Sequence, residues 1–135
     1  MPHLSKRKLD PKVYRELVTL FEYVLGHLNS KEAQELLTSL FSETEKLMLA
    51  KRIATVFMID EKIPCSHISD TLKLSPDTVH KIALEMETPK GNGFQIAVNK
   101  LNDRERIKLF KKILINAIRI AIRSAGGRPL DKVYY

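Results

Sequence analysis

The stretch Ser66-His-Ile-Ser-Asp-Thr-Leu-Lys-Leu-Ser-Pro-Asp-Thr-Val-His-Lys-Ile-Ala-Leu84 decides how the chain is organised. Ile68 and Leu72 stand four apart and so share one face of a first short helix. Leu74 breaks that spacing and fills a turn. Ser75 is a strong helix N-cap, and Pro76 suits the first helical position, where its missing N–H is not needed. Val79 and Ile82 then form the inner face of a second helix. Apolar residues at 68, 72, 74, 79 and 82 have the spacing by which a helix-turn-helix packs one helix across the other. Asp77, Thr78, His80 and Lys81 are left on or near the outer face, where a recognition helix meets a major groove. A glycine often takes the turn; here the residue is Lys73, and the small residue inside the first helix is Ser69. The bland alternative is a helical hairpin within an unrelated bundle.

Composition bounds the rest. A chain of 135 residues, 44% hydrophobic and 29% charged, suits one compact fold rather than disorder. No apolar run reaches membrane-spanning length, and the basic N-terminus lacks the apolar segment of a signal peptide. A cytoplasmic protein without a membrane partner is expected. The single cysteine, Cys65, has no mate within the chain, in keeping with a reducing compartment. The net charge of +7 is uneven: residues 1–64 hold 10 Lys/Arg against 9 Asp/Glu, and residues 65–135 hold 13 against 7. An excess of cations that begins at a helix-turn-helix is what phosphate contact asks for, although many soluble proteins are basic without such a role.

In chain order, residues 1–9 read as a basic arm in which Lys6, Arg7 and Lys8 are solvated or touch a nucleic-acid backbone. Asp10-Pro11 opens a helix to about Leu28, with Val13, Leu17, Leu20, Phe21, Val24, Leu25 and Leu28 at helical spacing and Tyr14 and Tyr23 widening the face. It is apolar enough to pack on two neighbours or on a partner chain. Ser30 is expected to cap a short helix with Leu36, Leu37 and Leu40 inward. Ser42-Glu-Thr-Glu45 is a capping box opening a helix to about Ile59, with Leu47, Ala50, Ala54 and Phe57 in one stripe and Ile53 and Val56 beside it. Residues 60–64 form a loop into the helix-turn-helix, and Thr88-Pro-Lys-Gly-Asn-Gly93 is a clear break.

This order of parts, with the leucine-rich short helix, the Ser42–Glu45 cap and a second helix carrying Thr78-Val79-His80-Lys81, resembles the tryptophan-repressor superfamily over about residues 10–88. The resemblance implies an all-α homodimer whose N-terminal helices interlock and which offers two recognition helices to successive major grooves. It implies base contacts from Pro76, Asp77 and His80 behind the Ser75 cap, with Ser66 and Thr78 in phosphate or turn contacts. In the regulated member two arginines clamp the corepressor; the nearest positions here are Lys51 or Arg52 and Lys81. Lysine lacks the bidentate fork, and Ile82 stands where that member has a glycine, so a small-molecule corepressor remains open while tryptophan itself is disfavoured.

The C-terminal third lies outside the resemblance. Phe94, Ala97, Val98 and Leu101 fit a helix. Asn102 and Glu105 begin a long amphipathic helix to Ala125, stopped by Gly126-Gly127 and Pro129. Ile107, Phe110, Leu114, Ala117, Ile118, Ala121, Ile122 and Ala125 make its apolar face, and Arg104, Lys108, Lys111, Lys112, Arg119 and Arg123 its basic one. It docks as core, pairs with its twin, or lies on a membrane surface. Cys65, His67 and His80 are too thin a set for a metal site, and no phosphate-cradling glycine motif or nucleophile elbow is present. No enzyme, metal or cofactor is expected. The expectation is thus an all-α multi-helix bundle: a helix-turn-helix domain over 1–88 and a helical extension over 89–135 on the same core. Its expected role is that of a dimeric, sequence-specific double-stranded DNA-binding repressor using the helix 76–87. The alternative is a protein-interaction module working through the C-terminal amphipathic helix, its basic charge incidental.

Overall fold

The computed structural model describes residues 7–124, the side chains of Leu114 and of 117–124 excepted. All regular structure among them is helical: α1 (Pro11–Gly26), α2 (Ser30–Leu40), α3 (Glu43–Asp60), α4 (Cys65–Leu72), α5 (Pro76–Met86), a 3-10 turn (Pro89–Gly91), α6 (Asn92–Lys100) and α7 (Asp103–Ser124). The first residues of the basic arm and the glycine stop after α7 lie outside the described residues. The chain forms two compact units, Met1–Lys46 and Leu47–Tyr135, and the division falls inside α3. The reason is a shared core, described below.

In the first unit, local chemistry sets the helix ends. The Asp10 carboxylate accepts the Lys12 N–H at 2.8 Å, with Pro11 at the first helical position. α1 stops at Gly26, two residues earlier than expected, where the His27 N–H turns back to the Val24 carbonyl at 3.1 Å and the imidazole stacks on Tyr23. The cap of α2 is Asn29, not Ser30. Asn29 accepts the Glu32 N–H and Glu32 accepts the Asn29 N–H, both at 2.9 Å. Only Asn29 puts an acid three residues on, where a capping box needs it. The expected inward faces are largely exposed: α1 has no buried residue, and Leu37 and Leu40 of α2 are exposed as well.

The second unit is built on Val56, Phe57, Met58, Ile68, Val79, Ile82, Val98 and Phe110, with Leu72, Leu74, Phe94 and Ile113 packed against them. These residues come from α3 to α7, so α4 and α5 share one core with the C-terminal helices α6 and α7. The stripe expected along α3 is replaced by a gradient. Thr55, Val56, Phe57 and Met58 are all buried, four successive residues that cover most of the helix circumference, whereas Leu47, Met48 and Leu49 are exposed. The buried Thr55 hydroxyl donates to the Lys51 carbonyl at 2.8 Å.

α3 and α4 both end on a residue in the left-handed region, and both are lysines: Lys62 (φ 63°) and Lys73 (φ 55°). After α3 the Ile63 N–H reaches the Met58 carbonyl at 3.0 Å; after α4 the Leu74 N–H reaches the Ser69 carbonyl at 3.1 Å. Each is the closing bond of a Schellman motif, and in each the following apolar residue turns inward onto the core. The Ser69 hydroxyl adds a 2.5 Å bond to the Leu74 carbonyl, so serine and leucine hold the turn that glycine would otherwise favour.

α7 packs on α4 through Phe110, flanked by Leu109 and Ile113. Its inner line therefore runs 106–109/110–113, rotated from expectation, and Ile107 is exposed. The rotation follows Arg106, which is drawn inward by Asp60 and Glu61 at the end of α3. The rest of the expected apolar face, Leu114 and 117 onward, lies outside the described side chains.

Candidate nucleic-acid interface

α5 is held at both ends and along one side. At its start the Ser75 hydroxyl accepts the Thr78 N–H at 3.2 Å and pairs with the Thr78 hydroxyl at 2.8 Å. Thr78 is half-buried, and its hydroxyl serves this cap. On the core side Val79 and Ile82 are buried against the core that α4 shares. At its end Gly91 of the 3-10 turn approaches so closely that a Cβ there would lie 2.6 Å from Met86 Cα. Glycine at 91 is required by space.

Successive α-helical residues are rotated by about 100°. Taking Asp77 as zero, His80, Lys81 and Leu84 fall within about 60° of it, while Val79, Ile82 and Met86 cluster on the opposite side. Burial follows the same division: Asp77, His80, Lys81 and Leu84 are exposed, Val79 and Ile82 buried, Met86 half-buried. Asp77 stands in the first turn, where a carboxylate also complements the helix dipole. Pro76 and Ser75 are exposed beside it. The outer face thus offers an acceptor, an imidazole, an ammonium and an apolar side chain in a row. Leu84 was not among the expected site residues, because sequence patterning treats an apolar residue as core; its spacing from Asp77 was the available signal.

No protein-family model matches the chain, and no curated protein or solved structure does.

Ser66 is exposed in the first turn of α4, whose cap position is Pro64, a residue without a capping side chain. Lys51, Arg52 and Lys81 are the residues expected to hold an effector. Arg52 points its guanidinium to Glu85 of α5 at 3.4 Å, and Lys90 approaches the same carboxylate at 3.5 Å. Lys51 is half-buried, Lys81 is exposed, and Ile82 is taken up by the core. Glu85 gives no sequence signal of this role, since its partner lies 33 residues away. Among the described residues no group of three His, Cys, Asp or Glu is placed to hold a metal ion, and no helix is long and apolar enough to cross a membrane.

Proposed function

We propose that this chain is a sequence-specific double-stranded DNA-binding protein, acting as a dimeric transcriptional repressor that reads the major groove with α5. The observation that carries the proposal is the division of α5 itself. A buried stripe of Val79 and Ile82 fixes it on the helix-turn-helix core, and the opposite side projects Asp77, His80 and Lys81 into solvent. The cation excess of residues 65–135 supplies the long-range attraction to phosphate that such a reader needs.

A two-fold dimer is part of the reading. A single recognition helix contacts few base pairs, and symmetric dimers double the contact at a fixed half-site spacing. α1 supports this: Val13, Leu17, Leu20, Phe21, Val24 and Leu25 are all between 37% and 60% exposed, an apolar face suited to a second copy of the chain. The alternative of a protein-docking α7 is less favoured, since Phe110 of that helix is committed to the core.

The test is selection of binding sites from random duplex DNA by the purified full chain. An enriched palindromic motif is expected, bound with a steep salt dependence. Lys81→Ala should weaken binding to every sequence and flatten the salt slope by roughly one unit. Absence of any enriched sequence, or a monomeric mass at micromolar concentration, overturns the reading.

A further inference from the structure

We infer that Leu84 is a base-reading residue whose partner is the C5-methyl group of a thymine about three base pairs from the one met by Asp77. The inference rests on the DNA-reading role proposed for α5 and extends it to a residue and a base. Leu84 is 66% exposed, more than any other large apolar residue among those described. It is not a frayed end or a stray: it stands seven residues after Asp77, two full turns on, within about 20° of the same direction.

The row Asp77, His80, Lys81 and Leu84 has the spacing 0, 3, 4, 7. That is the spacing by which a helix lying along a major groove presents four side chains to base edges. Seven residues of helix advance about 10.5 Å, and base pairs succeed each other by about 3.4 Å, which sets the offset of three pairs. The groove floor presents donors, acceptors and a single kind of apolar group, the thymine methyl. A row with one acid, one imidazole, one ammonium and one aliphatic side chain matches that set of groups.

The surroundings of Leu84 argue against a protein occupant. Its neighbours one turn before and after are His80, Lys81, Glu87 and Thr88, all exposed and all polar. A docking patch for a partner helix needs contiguous apolar area, and along the outer face of α5 Leu84 has no apolar neighbour. An isolated aliphatic side chain among hydrogen-bonding ones fits an isolated methyl among hydrogen-bonding groups.

The experiment compares wild type and Leu84→Ala by binding-site selection, then replaces each thymine of the best site by uracil, which deletes only the methyl. Leu84 touches little in the folded chain, so Leu84→Ala should match wild type in circular dichroism and melting. With wild type, one uracil position per half-site should weaken binding about fourfold, the worth of one buried methyl. With Leu84→Ala that position should be insensitive and its base preference relaxed, while the preference near Asp77 stays. Equal binding to thymine and uracil at every position overturns the role of Leu84 and leaves DNA reading by α5 standing. If Leu84→Ala keeps every base preference but loses the dimer, Leu84 belongs to a protein interface and the inference falls. If neither protein selects any sequence, the DNA reading falls and this inference with it.

Discussion

Arg106, in the first turn of α7, reaches back across 45 residues to place its guanidinium 2.9 Å from the Glu61 carboxylate beyond the end of α3. The same guanidinium also meets Asp60, and only 17% of its side chain is exposed. One planar cation therefore ties the last helix to the end of the most buried one. Removing it leaves two acids side by side with no counter-charge in a half-buried place. Arg106→Ala should lower unfolding free energy by roughly 1–3 kcal/mol, and Arg106→Lys should recover most of that, since a single nitrogen, Nη2, meets both carboxylates and an ammonium can donate to two as well. Urea denaturation measures both. A loss of a few tenths would mean that Phe110 alone docks α7.

The turn between α4 and α5 makes a second prediction. Lys73 adopts φ 55°, a region that disfavours a Cβ. Lys73→Gly should raise stability by about 0.5–1 kcal/mol, the relief of strain less the greater chain entropy of glycine. Thermal melts at fixed protein concentration check the sign.

The cap of α3 has a pH signature. The Ser42 backbone N–H, and then its side chain, hold the Glu45 carboxyl below the ordinary glutamate range. A depressed folded value means that the contribution is fully present above the unfolded value and is lost as pH falls through the folded one. NMR titration should place the Glu45 midpoint below the ordinary glutamate range, and Ser42→Ala should return it only part of the way, because the larger cause, the backbone N–H, is kept. A Glu45 midpoint in the ordinary glutamate range in the wild type would break the assignment.

Asp77 is expected to set a base preference. Ionised, it only accepts, so a cytosine N4 donor suits it and phosphates repel it. Asp77→Ala should cost on the order of 1–3 kcal/mol on the best site and relax one base pair per half-site, with non-specific binding kept or improved. Identical base preferences in the two proteins would leave Asp77 as a helix-start charge worth a few tenths of a kcal/mol.

Much of the framework was legible because caps and turns are local chemistry. Asp10-Pro11, Ser42–Glu45, Ser75-Pro76 and Asn102–Glu105 each act within four residues, and the Asn102 side-chain Oδ1 accepts the Glu105 N–H at 2.8 Å as its spacing implies. The cap of α2 is Asn29 and not the expected Ser30, because both residue types cap well and only Glu32 decides. Depth was not legible. Helical spacing tells that a face is apolar, not whether it is covered, so Leu47 and Ile107 were expected inside and Thr55 was not. Arg52–Glu85 and Arg106–Asp60 were out of reach for another reason: their partners meet only after the chain has folded back over 33 and 46 residues.

α1 orders 16 residues without burying one side chain. Isolated helices of that length are marginal in water, since each fixed residue loses about 1–2 kcal/mol of conformational entropy. Under the dimer reading its helicity is borrowed from the second copy, and so the ordered state of this segment is a function of concentration. Amide hydrogens of 11–26 would exchange at nearly unfolded rates in dilute protein and slow down as the concentration rises, while those of 55–58 stay protected throughout. Dilution would act on α1 as a denaturant acts on other helices, and the amount of protein in the cell would itself set how much of it is competent to bind.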